Sequence, residues 1–269
     1  MPAKPSEWYR PENERHRRHD EHGVIQVFDD GDKRFLCFGS ADEQSCQLRS
    51  RPSQLQHEYA RAMLGVIVLM SEPDSDWQGN GVSITLLGLG GGTLASAIHQ
   101  WLPEAQITAI ELRKAVVQVA RQYFALPRAP QIRVQVMEAS DYLQQAPGSQ
   151  AQLLVSDLYL CSGADERQLQ QDYIDRCWEH LAEGGWLVVN LWREHRDQVA
   201  WLSQLKQRFG QVLHATTSDG NWIIWAQKCE LVVELPIQQK NEIRQRCKAL
   251  SGRAGFNLWR SVKPFIKHG

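Results

Sequence analysis

The chain has 269 residues, and its 30 Lys and Arg nearly balance its 31 Asp and Glu, for a formal net charge of -1. A chain of this length can bury one large α/β core. The balanced charge provides no overall field that would hold the protein on nucleic acid or on an anionic membrane. We therefore expect neither partner.

The chain also lacks the apolar segments that export or membrane insertion requires. Residues 1–22 are polar and contain no apolar stretch of a secretory signal. The longest apolar run, residues 62–70, is shorter than the ~20 residues that a membrane-spanning helix needs. We expect a cytoplasmic protein.

The cysteines are scattered, with no Cys-x-x-Cys pair and no histidine nearby at metal-ligand spacing. We expect them to be small apolar residues in a reducing compartment, and we expect no metal. They are Cys37, Cys46, Cys161, Cys177, Cys229 and Cys247.

Composition divides the chain into four regions. Residues 1–23 are predicted to be a solvated polar tail, with a basic cluster at residues 15–19. Residues 24–52 contain two apolar runs around Asp29-Asp30-Gly31-Asp32, which predicts a hairpin in a small N-terminal β element. Residues 53–230 form the main domain, which opens with a helix over residues 54–70. Residues 231–269 are a mostly helical C-terminal extension.

Short apolar runs alternate with helical patterns through the main domain. Strands are predicted over residues 83–87, 106–110, 132–136, 152–156 and 185–191, and helices over 94–101, 115–124, 141–145, 168–181 and 199–209. This alternation predicts a parallel, doubly wound sheet. Two further strands, 212–216 and 222–227, form a terminal hairpin and raise the total to seven. Such a hairpin closing a parallel sheet resembles the Rossmann-like class I methyltransferase fold.

A glycine turn joins the first of these strands to a helix. Gly88, Gly90, Gly91 and Gly92 allow a sharp turn and the close approach of a ligand to main-chain N–H groups. Glu111 ends the next strand, where an acidic side chain can accept both hydroxyl protons of an adenosine ribose. The combination predicts an adenosyl-cofactor site.

Two more strands also end in acidic residues. The third ends at Glu138-Ala139 and the fourth at Asp157, at the sheet edge where open α/β sheets bind ligands. Any one such acid is as often a loop residue or a helix cap. A nicotinamide enzyme is the alternative, but its fingerprint places the third glycine three residues after the second.

These segments resemble the spermidine synthase (polyamine aminopropyltransferase) family of the S-adenosylmethionine-dependent superfamily. The matching stretches are residues 86–94, 109–112, 120–124, 138–143, 154–157, 172–173 and 181–191. The resemblance implies that Glu111 binds the ribose, Glu138 the adenine edge, and that Asp157 accepts a proton from an attacking amine. It also implies S-adenosylmethionine or its decarboxylated form as the cofactor, a small amine or polyamine as the substrate, and an N-terminal β element of the kind that mediates homodimer contacts.

The chain departs from the family at three places. Gly91 and Leu160 stand where members usually carry Asp, the first gripping the aminopropyl amine and the second the diamine. Arg61-Ala62 stands where we expect a Tyr-His pair. The acceptor side is therefore altered more than the cofactor side.

Several side chains are candidates for an altered acceptor pocket. Tyr159, Trp192 and Trp222 can wall a cation pocket, although packing is the commoner role of such residues. Asp165, Glu166 and Asp172 can replace the missing carboxylate if their loop folds over the site. Three functions remain open: aminopropyl transfer, methyl transfer from intact cofactor to an unknown acceptor, and non-catalytic nucleoside binding.

Overall fold

The structure is a computed structural model that describes residues 7–70, 77–160, 163–229 and 237–266. The start of the predicted tail, Cys161 and both ends of the predicted C-terminal extension lie outside these ranges. Four strands form an N-terminal antiparallel sheet, in the order β1-β2-β3-β4. They are β1 (Glu14–Asp20), β2 (Gly23–Asp30), β3 (Lys33–Cys37) and β4 (Ser45–Leu48).

The remaining elements alternate as the sequence predicts. They are α1 (Glu58–Leu64), α2 (Ile67–Met70), β5 (Ser83–Leu87), α3 (Thr93–Trp101), β6 (Gln106–Glu111), α4 (Lys114–Tyr123), β7 (Ile132–Val136), α5 (Ala139–Gln144), β8 (Ala151–Ser156), β9 (Tyr159–Leu160), β10 (Gly163–Ala164), α6 (Gln171–His180), β11 (Leu181–Trp192), α7 (Val199–Arg208), β12 (Gln211–Thr216), β13 (Asn221–Gln227), α8 (Ile237–Ala254) and α9 (Leu258–Ile266). The helix predicted over residues 54–70 is in fact two short helices, α1 and α2.

The central sheet has seven strands in the order β12-β13-β11-β8-β5-β6-β7. The pairs from β11 to β7 are parallel, and β13 runs antiparallel to both of its neighbours. The carboxyl ends of β5, β6, β8 and β11 therefore meet at one edge, and β13 begins at that same edge. This edge holds the candidate site.

The predicted polar tail is wrong for residues 14–20, which form the edge strand β1. Its backbone pairs with β2, from Asp20 opposite Gly23 to Glu14 opposite Phe28. The charged side chains gave no apolar alternation to predict a strand. The hydrogen-bond ladder of β2 supplies the partner instead, and charges on an edge strand discourage further pairing.

Helices cover both faces of the central sheet. One apolar cluster joins α1, α3, α8 and α9 to one face, and a second joins α6 and α7 to the other. The N-terminal sheet packs on α4 through Ile25, Val27 and Leu36 against Val116 and Val119. Among the described residues, no helix combines the length and apolarity needed to cross a membrane.

Candidate functional site

A cavity of about 790 Å³ opens at the carboxyl edge of the central sheet. It brings together most of the side chains that the sequence singles out, although they lie far apart in the chain. The predicted site residues that line it are Gly88, Gly90, Glu111, Glu138, Ala139, Asp157, Tyr159 and Trp192.

The glycine turn begins with a close backbone approach. Gly88 has φ of 92°, and a Cβ atom there would lie 2.4 Å from the carbonyl oxygen of Asp157. The Gly88 N–H donates to the Ile110 carbonyl (2.9 Å), and the Asp157 N–H donates to Leu87 (3.0 Å). Only glycine fits at this position, which ties the turn to the strands on both sides of it.

Gly91 and Gly92, which are also predicted to bind the cofactor, are not among the residues that line the cavity. The Gly91 N–H instead donates to the Ser45 hydroxyl at 2.8 Å. A Cβ atom at Gly91 would lie 2.9 Å from Ser45 Cβ and 2.9 Å from Phe124 Cδ1. Strand β4 thus occupies the space that a side chain at this position requires.

The Glu111 carboxylate is buried against the turn. Its Oε2 accepts the N–H groups of Leu89 (3.1 Å) and Gly90 (3.4 Å), and its Oε1 accepts the Arg113 N–H (2.9 Å). Burial raises the pKa of Glu111, and these three donors partly offset that rise. The remaining lone pairs face the cavity, where a vicinal diol can donate to them.

Glu138 caps a helix, which is the common alternative role of an acid at a strand end. Its Oε2 accepts the Ser140 N–H at 2.9 Å and caps α5. Its Oε1 lies 3.1 Å from Nη1 of Arg167, whose guanidinium also pairs with Asp165. Glu138 still lines the cavity, so capping and ligand contact are compatible. Asp165 lines it too, but with its carboxylate neutralised by Arg167.

Asp157 lies where β8 ends, opposite the glycine turn. Its Oδ1 accepts a hydrogen bond from Nδ2 of Asn190 at 2.8 Å. Burial raises the pKa of Asp157 to about 6, and the Asn190 bond opposes that rise. A carboxyl group with this pKa is ionised in most molecules at neutral pH and can hold a proton transferred from a substrate.

Two asparagines that the sequence analysis missed connect Asp157 to the terminal hairpin. Asn221 Nδ2 donates to Asn190 Oδ1 (2.9 Å) and to the Tyr159 hydroxyl (3.2 Å). Because Asn221 engages the amide oxygen of Asn190, the amide NH₂ of Asn190 is turned toward Asp157. The sequence contained a usable signal. Because β13 is antiparallel to β11, it begins at the edge where β11 ends, which places Asn221 near Asn190.

The cavity also includes His57, Tyr59 and Asp219, which the sequence analysis did not select. Arg61, at the position of the expected Tyr-His pair, does not line the cavity. Arg61 instead donates to the Leu55 carbonyl (2.9 Å) and stacks over Phe256, away from the cavity.

Three expectations about the acceptor side have different outcomes. Tyr159 and Trp192 lie together at the cavity, with ring centroids 6.1 Å apart. Trp222 is buried in the core beside Trp201. Asp172 is not brought to the cavity, because its position in α6 turns it to the outer surface, where it pairs with Arg176 at 3.0 Å.

Within the described ranges, one group of side chains has ligand atoms close enough to hold a metal ion. Glu43, Cys46 and His57 each offer one such atom, all within 4.8 Å of one another. Burial raises the pKa of Cys46 to about 12, which opposes the thiolate form that metals bind. The sequence spacing did not indicate this group because its members belong to different elements.

The sequence and fold have clear relatives. The profile described as "Methyltransferase small domain" matches residues 65–225. A polyamine aminopropyltransferase from Chromobacterium violaceum is 28% identical over 244 residues, covering 87% of this chain and 86% of that protein.

Solved structures give the same picture. A probable spermidine synthase from Corynebacterium glutamicum superposes with a TM-score of 0.71 at 19% identity, covering 93% of this chain and 94% of that one. Human methyltransferase-like protein 13 in complex with SAH has a TM-score of 0.65 at 20% identity, covering 72% and 93%. These matches confirm the predicted fold and the resemblance to the polyamine aminopropyltransferases. The chain belongs to the methyltransferase small domain family.

Proposed function

We propose that this protein is an aminopropyltransferase that uses decarboxylated S-adenosylmethionine and an amine acceptor. The observation that carries the proposal is Asp157, a carboxyl group with a raised pKa held by Asn190 in the same cavity as Glu111. Relatives that are named polyamine aminopropyltransferases over most of the chain support it.

The cavity residues fit an adenosyl group. Gly88 and Gly90 keep the turn free of side chains, so that a ligand can approach the backbone. Glu111 would accept the ribose hydroxyls, and Glu138 and Ala139 would border the adenine edge. When bound, the cofactor supplies a carbon activated by its attachment to a sulfonium.

The transfer requires one bond to form and one to break. The lone pair of the acceptor nitrogen attacks the propyl carbon next to sulfur, forming a C–N bond as the C–S bond breaks. The sulfonium takes the bonding pair and leaves as the neutral thioether methylthioadenosine. Asp157 accepts the proton that the acceptor nitrogen loses, and the cavity supplies positioning and exclusion of water.

Methyl transfer from intact S-adenosylmethionine is the second candidate function. It is favoured by one observation, the packing of Ser45 against Gly91, which leaves no acidic side chain on the turn to repel a carboxylate. The family match over residues 65–225 is compatible with either reaction.

Thermal unfolding with three ligands separates these functions. Because a ligand that binds only the native state raises its stability, we expect decarboxylated S-adenosylmethionine and methylthioadenosine to raise Tm more than the intact cofactor. Release of methylthioadenosine with an amine present is the matching activity assay. A clear preference for the intact cofactor would support methyl transfer instead. Binding without turnover of either cofactor would support a non-catalytic homologue.

A further inference from the structure

The part of the cavity that includes Asp157 and Tyr159, here called the acceptor end, contains an acidic side chain that does not come from a parallel strand. Asp219 lies in the turn between β12 and β13 and lines the cavity with Asp157 and Tyr159. We propose that Asp219 is a specificity-determining residue, whose carboxylate receives the second cationic group of the acceptor. It would take the place of the acid expected at Leu160. This inference rests on the proposed function.

The turn is held in place by the start of α1. Glu58 Oε2 accepts the Ser218 N–H at 3.2 Å and also a hydrogen bond from the Ser218 hydroxyl. Asp219 Oδ2 accepts the Tyr59 N–H at 3.2 Å. These contacts fix the turn beside the cavity, and within the described part of the chain no protein donor competes with a ligand cation for Asp219 Oδ1.

The same hairpin is connected to Asp157. Asn221, two residues after Asp219, bonds to Asn190, and Asn190 bonds to Asp157. The two carboxylates therefore belong to one hydrogen-bonded framework rather than to independent loops. On this proposal, an amine with its reacting nitrogen at Asp157 extends toward Asp219, because both carboxylates and Tyr159 line the same cavity.

The electrostatics of this end favour a cation. The negative charges of Asp157 and Asp219 both contribute to raising the pKa of Tyr59 and Tyr159, after the larger effect of burial.

The arginines that line the described part of the cavity have other acidic partners. Arg113 pairs with Asp20, and Arg167 pairs with Asp165 and Glu138. Neither guanidinium is paired with Asp219, so a cationic ligand could bind this carboxylate without breaking an existing ion pair. The Tyr159 and Trp192 rings add favourable faces for an alkylammonium group.

The test measures binding of two probe amines to the protein saturated with methylthioadenosine. Calorimetric titrations use 1,4-diaminobutane, which carries a second cation, and 1-aminobutane, which does not. We expect Asp219→Asn to weaken diaminobutane binding by about 3- to 10-fold and to leave aminobutane binding nearly unchanged. The effect is moderate because Asp219 is exposed to solvent, which screens its charge.

Two matched variants separate charge recognition from support of the turn. Asparagine at position 219 can still accept the Tyr59 N–H, so its effect reports the lost charge. Glu58→Gln weakens the clamp on Ser218 but lies outside the cavity lining, so we expect diaminobutane affinity to stay within about twofold. Asp219→Glu keeps the charge and should restore part of the preference for the diamine.

The outcomes distinguish this inference from the proposed function. Failure of the wild-type protein to bind methylthioadenosine overturns the proposed function and this inference with it. If methylthioadenosine binds, the Asp219 assignment is overturned by any of three results: no detectable diamine binding, equal losses for both amines in Asp219→Asn, or the same loss in Glu58→Gln. The proposed function survives each of these three.

Discussion

At the scale of single residues, Asp157 combines its proposed role as proton acceptor with a cost in stability. Replacing it with Asn removes the proton acceptor while retaining the shape of the side chain. We expect turnover to fall by about 10²- to 10⁴-fold, the usual contribution of a general base, with methylthioadenosine affinity nearly unchanged. Single-turnover kinetics and calorimetry measure the two effects separately, and a variant with full turnover would rule out Asp157 as the base.

The same substitution should stabilise the fold above pH 6. The pKa of Asp157 is 3.8 in the unfolded reference and about 6 in the folded protein, so the folded state holds the proton more tightly. Stability from this group is present below pH 3.8 and is lost as pH rises through 6. Asp157→Asn should therefore gain about 1 to 3 kcal/mol at pH 7.5, and the gain should fade toward pH 4. Urea unfolding at both pH values checks the sign.

Gly91 illustrates how a tertiary contact prevents a substitution that family resemblance would favour. Because a Cβ atom would lie 2.9 Å from Ser45 and Phe124, Gly91→Ala should lower the free energy of unfolding by about 1 to 3 kcal/mol. Gly148→Ala is the control, since nothing lies within 4 Å of its Cβ position. Adding Ser45→Gly should recover part of the loss. An unchanged free energy of unfolding in Gly91→Ala would show that β4 can shift to accommodate the methyl group at little cost.

At the scale of elements, Arg113 joins the first hairpin to the Rossmann-like sheet. Its guanidinium binds Asp20 of β1 in a bidentate pair (3.0 and 2.7 Å) and donates to the Gly23 carbonyl (2.8 Å). The guanidinium also lies 4.7 Å from the centre of the Phe38 ring. The buried Arg113 thus adds a tertiary contact to the β2 ladder that pairs this charged strand.

Arg113→Met should destabilise the protein by about 1 to 3 kcal/mol, because it leaves the half-buried Asp20 carboxylate without its charged partner. The matched control is Arg17→Met, whose pair with Glu14 is solvent-exposed, so its loss should leave stability nearly unchanged. Urea unfolding of both variants provides the comparison. Equal losses would show that the Arg113 pair is no stronger than a surface pair.

At the scale of the whole molecule, the C-terminal helices belong to the core. The Phe265 ring of α9 stacks on Trp225 of β13 with centroids 3.7 Å apart and planes 2° from parallel. Phe265→Ala should therefore cost about 3 to 5 kcal/mol, the usual range for a large core truncation. Lys263→Ala, on the exposed side of α9, should change stability by less than about 0.5 kcal/mol. Thermal unfolding distinguishes a core helix from a loosely attached one, for which both variants would be neutral.

Much of the central sheet could be predicted from local pattern. The buried runs of β5, β6 and β8 and the glycine turn each have a strong local signature, and parallel strands bring their carboxyl ends to one edge. Glu111, Glu138 and Asp157 could therefore be selected as neighbours without coordinates. Strand β1 could not be predicted in this way, because its residues have no apolar alternation and it forms by pairing with β2.

The sequence by itself determined the alternation of strands and helices, the glycine turn and the acids at three strand ends, since each depends on residues adjacent in the chain. Only the tertiary structure decided what surrounds them. It filled the space beside Gly91 with Ser45, moved Asp172 to the outer surface and brought Asp219 to the cavity. These outcomes depend on contacts between segments far apart in sequence. Local propensity carries no information about which distant side chain packs at a given position. The glycine turn therefore predicts a cofactor site, whereas the packing around it determines which side chains line the cavity.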